Sequence, residues 1–233
     1  MQFLNQSFPE PDSNIALDEA LLESAESGVL GESLRVWESP VYFAVLGYSS
    51  TWKNELNPNT SIPFIRRKSG GQTVLQGPGC LNFNLVLKVN SSTGIRTDTA
   101  NAMQKNMQAI QICLPGEKFE IQGVSDLNWK GRKFSGNAMR RGKNYYLFHG
   151  TFLYSFDLQQ IQTQLGKPDR EPDYRAKRSH SEFITNIPAG KEKIIEALKK
   201  AWGANDPLKK VPLELIPELK KNFYANPDWN KKF

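Results

Sequence analysis

The sequence predicts an α+β fold, and three observations carry that prediction. Strand-like segments fall in groups with helices between the groups, not in one-for-one alternation. Residues 81–89 (LNFNLVLKV) place Leu81, Phe83, Leu85 and Leu87 on one face and Asn82, Asn84, Val86 and Lys88 on the other, the period of two of a half-buried strand. Residues 119–156 hold successive strand patterns (FEIQ, DLNW, RKFSGNAMR, YYLFHGTFLYSF), and Lys130-Gly131 and Gly142-Lys143 turn between the last three, which reads as a β-meander.

Residues 14–27 (NIALDEALLESAES) have helical spacing. Ile15, Leu21, Leu22 and Ala25 share a face that excludes Asp18, Glu19, Glu23 and Glu26. Ser13 or Asn14 suits the N-cap and Gly28 the stop. LRVWE (34–38) and YFAVLG (42–47), joined through Ser39-Pro40, read as an antiparallel pair, and 49–61 as a loop. Residues 97–114 form a second helix whose stripe includes Ala109, Ile110 and Cys113, so Cys113 reads as a core filler. Asp157 caps a short helix at 158–165. Residues 166–188 lack periodicity and carry Pro168, Arg170, Arg175, Arg178 and His180, a long basic loop of the kind that is functional or mobile. A helix follows at 190–202, then a proline-rich tail with a short helix around 213–224.

A hydrophobic fraction of 39% with 11% aromatics is ample for a packed core. The net charge of +6 fits an acidic partner or a nucleotide, and without a long basic run it does not point to nucleic acid. Cys80 and Cys113 form no CxxC pair or disulfide framework, which fits a reducing compartment. No secretory leader pattern and no apolar run of ~18 residues is present, so a soluble cytoplasmic protein away from membranes is expected.

Two stretches carry chemistry. In RRKSGGQTVLQGPG (66–79) a glycine pair lies between strand-like runs. It reads either as a β-hairpin with two solvated arginines or as an anion site, where bare N–H groups and the forks of Arg66 and Arg67 meet carboxylate or phosphate. It is neither a P-loop nor GxGxxG. In SDLNWKGRKFSGNAMRRGKNYYLFHGTFLY (125–154), Lys133 reads as a snorkelling edge lysine or as a site cation that neutralises phosphate and polarises a carbonyl. Asp126 is the best-placed acid, either for a nucleotide-borne Mg2+ or for the turn. His149, in an aromatic strand, fits a hydrogen-bonded core group better than a base, and His180 sits among cations that weaken it as a base.

RRKSGG, DLNWKGRKFSGNAMR and FHGTFLYSFDL, in this order and spacing, resemble the lipoate–protein ligase A family of the biotin/lipoate protein ligase superfamily. The likeness covers residues 14–188. It implies a mixed, largely antiparallel sheet flanked by helices, with 1–188 as the catalytic domain and 189–233 as C-terminal helices and tail packed on it. It also implies ATP-dependent activation of lipoate to lipoyl-AMP, followed by transfer to a lysine of a lipoyl domain. By motif position, Lys133 is the catalytic residue and meets the lipoyl carboxyl and the α-phosphate. Arg67, Gly70, Gly71, Gln72, Thr73, Val74 and Leu75 line nucleotide and phosphates. Ser69, Gly136, Ala138 and His149 shape the acyl and adenylate pocket, Asp126 is the Mg2+ ligand, and 170–183 falls at an adenylate-binding loop. The acceptor is of the glycine-cleavage H-like or 2-oxoacid dehydrogenase E2 type.

The chain departs from the family pattern RRxSGGG, NDL and HHGT. Gln72 replaces the third glycine, Gln76-Gly77 a His-Asp, Cys80 an Asn, Ser125 the Asn of NDL, and Phe148 the first His. Longer family ligases carry a C-terminal accessory domain where this chain has a short tail, so either a separate accessory subunit is a further partner, or this branch does without one, or full activation is weak. Three rivals remain. The first is an ATP-independent octanoyl or lipoyl transferase working through a cysteine, but the stretch 118–123 (KFEIQG), where short octanoyltransferases resemble a CF-like sequence, has none. The second is a biotin ligase, which RRKSGG in place of GRGRxG disfavours. The third is a non-catalytic subunit of the same fold.

Overall fold

The computed structural model describes residues 1–90, 95–166 and 171–233. The expected positions Pro168 and Arg170 lie outside them. The chain runs β1 (Gln2–Asn5), α1 (Pro11–Glu26), β2 (Ser33–Trp37), β3 (Phe43–Leu46), α2 (Trp52–Glu55), β4 (Phe64–Arg66), β5 (Val74–Gln76) and β6 (Cys80–Lys88). It continues through α3 (Ile95–Cys113), β7 (Phe119–Gln122), β8 (Asp126–Trp129), β9 (Arg132–Arg141), β10 (Tyr145–Leu153) and α4 (Leu158–Gln164). Then come α5 (His180–Phe183), α6 (Lys191–Trp202), β11 (Asp206–Pro207), α7 (Ile216–Leu219) and α8 (Pro227–Asn230), with 3₁₀ turns at Asp173–Arg175 and Leu213–Leu215 and a π-helical turn at Lys220–Tyr224.

A large sheet of order β11-β1-β2-β6-β10-β9-β8-β7 is parallel at β11-β1-β2 and antiparallel elsewhere. A small sheet of order β4-β3-β5 lies beside it. The α+β class, the meander β7–β10 and the mixed, largely antiparallel sheet flanked by helices are all present.

The alternation in β6 sorts the two sides of the large sheet. Leu81, Phe83, Leu85 and Leu87 join Phe148 and Phe152 of β10 beneath α3 and α6, with Cys113 filling that core. The opposite side carries rows in register across β2, β6, β10 and β9: Ser33, Val86, Leu147 and Arg140; then Arg35, Asn84, His149 and Ala138. Helix α1 packs on this second side with Trp37, Val86 and Leu147. A slip of one residue in β6 would exchange the two faces.

Four expectations are corrected. First, β6 is not half-buried: it is the central strand, and Asn82 and Asn84 are buried with the rest. Second, the segments 34–38 and 42–47 do not pair, since β2 belongs to the large sheet and β3 to the small one. Third, the glycine pair does not close a hairpin, because β4 and β5 each pair with β3, from opposite edges. Fourth, α1 starts at Pro11, whose fixed φ suits the first helical position, with Glu10 as N-cap. Asn14 instead ties back the preceding turn, donating to the Phe8 carbonyl (2.8 Å) and accepting from its N–H (3.0 Å).

Two of the acids of α1 are not solvated. Asp18 and Glu19 lie three and four residues from both Ile15 and Leu22, so they share the buried side and are 6% and 2% exposed. Asp18 pairs with fully buried Arg35 and accepts from Trp37 Nε1 (3.2 Å). Burial raises the Asp18 carboxyl above its ordinary value, and Arg35 opposes that rise. Arg35 also donates to the Gln6 and Asn14 carbonyls, so one guanidinium fixes α1 to the sheet. Arg35→Met leaves Asp18 buried without its counter-ion, and a loss of about 3–5 kcal/mol is expected. Urea unfolding at neutral pH measures it; a midpoint within error of wild type would contradict this account.

Candidate active site

A cavity of about 400 Å³ opens between the α1 side of the large sheet, α1 itself and the loop that joins β4 to β5. That size suits a small organic ligand. Of the expected site residues, Arg67, Ser69, Gly71, Gln72, Thr73, Val74, Asp126, Lys133, Gly136, Ala138 and His149 line it. Gly70 and Leu75 do not: Leu75 packs into the small-sheet core, and Gly70 turns its carbonyl to Arg67.

The glycine loop is held from inside. Arg67, 6% exposed, donates to the carbonyls of Val45 (3.1 Å), Gly70 (2.6 Å) and Gln72 (2.9 Å) and to Ser69 Oγ (3.0 Å). Burial lowers the guanidinium to about 10, so it stays cationic at neutral pH. Gly71 has φ +90°, and a Cβ at Gly47 would stand 1.8 Å from the Gly71 carbonyl oxygen, so the loop lies directly on Gly47. Arg67 is thus the loop's anchor, with four of its five N–H groups spent on the loop and β3.

Arg66 is not a ligand fork either. It donates to the Gly47, Tyr48 and Ser50 carbonyls and to those of Trp229 and Asn230. The expected backbone cradle also shortens. The Thr73 N–H and hydroxyl both go to the Glu55 carboxylate, and Val74 and Leu75 belong to the β3–β5 ladder. Gly71 and Gln72 are what is left of the loop to face an anion.

Ser69 Oγ lies 2.7 Å from His149 Nε2. This is the spacing of a nucleophile and its base, but the electrostatics disable it. Burial, then the Arg67 cation, push His149 down to about 3, so the imidazole is neutral and a poor proton acceptor. The group that orients Ser69 from behind is a guanidinium, not a carboxylate. The pair therefore fixes loop to sheet, as the reading of His149 as a hydrogen-bonded group expects.

Lys133 reaches the cavity through a β-bulge. Leu127 pairs with Ser135 but Asn128 with Lys133, so Phe134 is the extra residue. In a regular strand Lys133 and Gly136 would face opposite sides. The bulge sends Phe134 into the core and Lys133 to the cavity side, over Gly136. A Cβ at Gly136 would stand 3.0 Å from Lys133 Nζ, so only glycine leaves the amine its place.

Asp126 Oδ1 lies 2.9 Å from Lys133 Nζ, and Asp126 Oδ2 accepts from Tyr174 Oη. Both carboxylate oxygens are engaged, and no cluster of three or more metal-binding side chains occurs among the described residues. A Mg2+ at Asp126 would share the carboxylate with Lys133 and Tyr174. Arg175 and Arg178 flank the Phe183 ring at 5.1 and 5.3 Å, and each donates its Nε to the other's carbonyl. The basic loop spends these arginines on its own packing.

Neither cysteine lines the cavity. Cys80 lies in the small-sheet core with Sγ toward Gln76 Oε1 (3.2 Å), and burial pushes its thiol far up. Cys113 lies beneath the opposite face of the large sheet. Sequence reasoning missed Glu19, Trp37 and Tyr224, which also line the cavity. The Ile15–Leu22 spacing signalled Glu19; nothing local signalled Tyr224.

Residues 10–202 match the family model of the lipoyl protein ligase A/B catalytic domain, and the chain belongs to that family. It is 24% identical to the octanoyltransferase LipM of Brevibacillus brevis, over 94% of each chain. It is 25% identical to the lipoate-protein ligase LplJ of Bacillus subtilis, over 97% of this chain and 72% of that one. In fold it is similar to the bi-partite lipoate protein ligase of Thermoplasma acidophilum, with a TM-score of 0.83 at 21% identity over 99% of this chain and 95% of that one. The family includes both ligases and octanoyltransferases. No helix among the described residues is long and apolar enough to cross a membrane.

The depressed His149 makes a pH prediction. Unfolded histidine takes up a proton below about 6.5 while folded His149 does not until about 3. Its contribution to stability is complete above 6.5 and is lost progressively as pH falls toward 3. Urea midpoints at about pH 7.5 and about pH 5 are expected to separate more for wild type than for His149→Gln. Equal separations would show that His149 titrates normally.

Proposed function

We propose that this protein is a lipoate–protein ligase: it activates lipoate with ATP to lipoyl-AMP and transfers the lipoyl group to a lysine of a lipoyl domain. One observation carries the reading. The cavity presents Lys133 and a glycine loop, while among the described residues both thiols are buried elsewhere and Ser69 faces a neutral histidine and a guanidinium. An acyl group in such a site needs its leaving group from outside, and ATP supplies one.

In the first step the lipoate carboxylate attacks the α-phosphorus and pyrophosphate leaves. In the second, an unprotonated acceptor amine attacks the acyl carbonyl and AMP leaves. Lys133 neutralises charge that builds on the α-phosphoryl and carboxyl oxygens in both steps. Gly71 and Gln72 approach the phosphates, and Ala138 and Ser69 lie along the acyl group. Lys133 and Asp126 share their end of the cavity with Val124, which is 87% exposed, so that end is the mouth where an acceptor lysine arrives. The Thermoplasma structure is of a bi-partite ligase and its E2 lipoyl domain, which supports the same acceptor class here and a separate accessory subunit.

Octanoyl transfer from acyl carrier protein is the second reading, favoured by the match along nearly the whole length of the Brevibacillus octanoyltransferase. Intact mass of an apo lipoyl domain separates the two. A lipoyl gain that requires ATP is expected; an octanoyl gain from octanoyl–acyl carrier protein without ATP would replace the ligase by the transferase.

Two variant sets sharpen the test. Lys133→Ala is expected to abolish adenylate formation, read as pyrophosphate release, while Cys80→Ser and Cys113→Ser retain transfer. Loss of transfer in a folded cysteine variant would restore thiol chemistry. Gly136→Ala displaces the flexible end of Lys133, not backbone, so a rate loss on the order of tenfold or more with unchanged melting temperature is expected.

A further inference from the structure

Residues 213–233 lie beyond the matched family segment, yet one of them, Tyr224, forms part of the cavity wall. Tyr224 is 2% exposed and lines the cavity together with Ile15, Trp37, Val45 and Leu147. These five side chains belong to one apolar cluster. They form the enclosed end of the cavity, away from the Lys133 mouth. Tyr224 Oη donates to Glu19 (3.4 Å), whose carboxylate also meets Arg140 and Lys68. Burial, then the Glu19 charge, hold the phenol well above its ordinary value, so it remains a neutral donor.

The placement of Tyr224 is over-determined. It ends the π-helical turn Lys220–Tyr224, closed by an Ala225 N–H to Lys220 carbonyl bond of 2.9 Å. Such turns are rare and re-aim a side chain. The tail on its far side is clamped to β4. The Arg66 N–H donates to Asn230 Oδ1 (2.8 Å), Trp229 Nε1 donates to the Arg66 carbonyl (2.8 Å), and the Arg66 guanidinium takes the Trp229 and Asn230 carbonyls. On its near side Lys68 of the glycine loop sits 3.8 Å from the centre of the Phe223 ring. An exposed terminal helix needs neither these bonds to β4 nor the contact with Lys68.

We propose that Tyr224 is a specificity-determining residue: its ring, delivered by the C-terminal segment, closes the acyl end of the cavity and sets the length of acyl chain accepted. This rests on the reading that the enclosed apolar end takes the acyl chain of a carboxylic acid. Replacing the ring by a shorter side chain extends the cavity along that chain. A larger ring shortens it.

The test measures, for the full chain, both thermal stabilisation by straight-chain carboxylic acids of six to twelve carbons and ATP-dependent pyrophosphate release with each acid. Tyr224→Leu is expected to raise the preference for the ten-carbon over the eight-carbon acid by about tenfold, the worth of two further buried methylenes. Tyr224→Phe keeps the wild-type profile, since the ring remains. Tyr224→Trp moves the preference to shorter acids, and it decides the matter should the leucine variant not fold. An unchanged profile in both the leucine and tryptophan variants would overturn the proposal, as would a phenylalanine variant that shifts as far as leucine. Acid binding whose length preference shifts as expected, without any pyrophosphate release, would uphold Tyr224 and sink the ligase reading instead.

Discussion

Two adjacent guanidinium groups, Arg66 and Arg67, are buried at the end of β4, and the site depends on both. Arg67 turns inward and gathers the carbonyls of the glycine loop and of β3. Arg66 turns outward and gathers carbonyls from residues 47–50 and from the C-terminal tail. A loop rich in glycine has many conformations to lose on ordering. Charge-assisted hydrogen bonds to its carbonyls offset that loss. The same bonds satisfy two buried charges that would otherwise be very costly.

The large sheet supplies the other fixed wall. Because β6 is buried on both faces, its alternation separates a lipophilic core from a polar, functional floor. Along β9 one extra residue breaks the alternation and delivers Lys133 to that floor. The lysine is then positioned three ways: by the bulge, by the missing side chain at Gly136, and by the Asp126 carboxylate. Tyr174 bonds the other oxygen of that carboxylate, so the segment that precedes α5 touches the same constellation.

Electrostatics narrow the chemistry more than proximity does. Ser69 and His149 have the distance of a catalytic pair, yet burial and the neighbouring Arg67 cation strip the histidine of basicity. The two thiols lie in cores on opposite sides of the large sheet. What faces the cavity includes cations and dipoles suited to developing negative charge.

Sequence alone determined the α+β class, the meander, the helices on either side, the family and, among the residues that line the cavity, Lys133, Gly136, Ala138, Ser69 and His149. Each of these rests on local periodicity or on a contiguous motif, and both survive in one dimension. Tertiary structure alone decided three other things. It assigned β2 and β3 to different sheets, because strand partners are chosen by which faces can be buried and not by adjacency in the chain. It showed Arg66 and Arg67, whose forks read as suited to an anion, bonded to carbonyls of the chain itself, because a guanidinium bonds whichever carbonyls surround it. It brought Tyr224 to Glu19 across 205 positions of sequence, a contact that no local pattern encodes because it forms only when the tail folds back over α1.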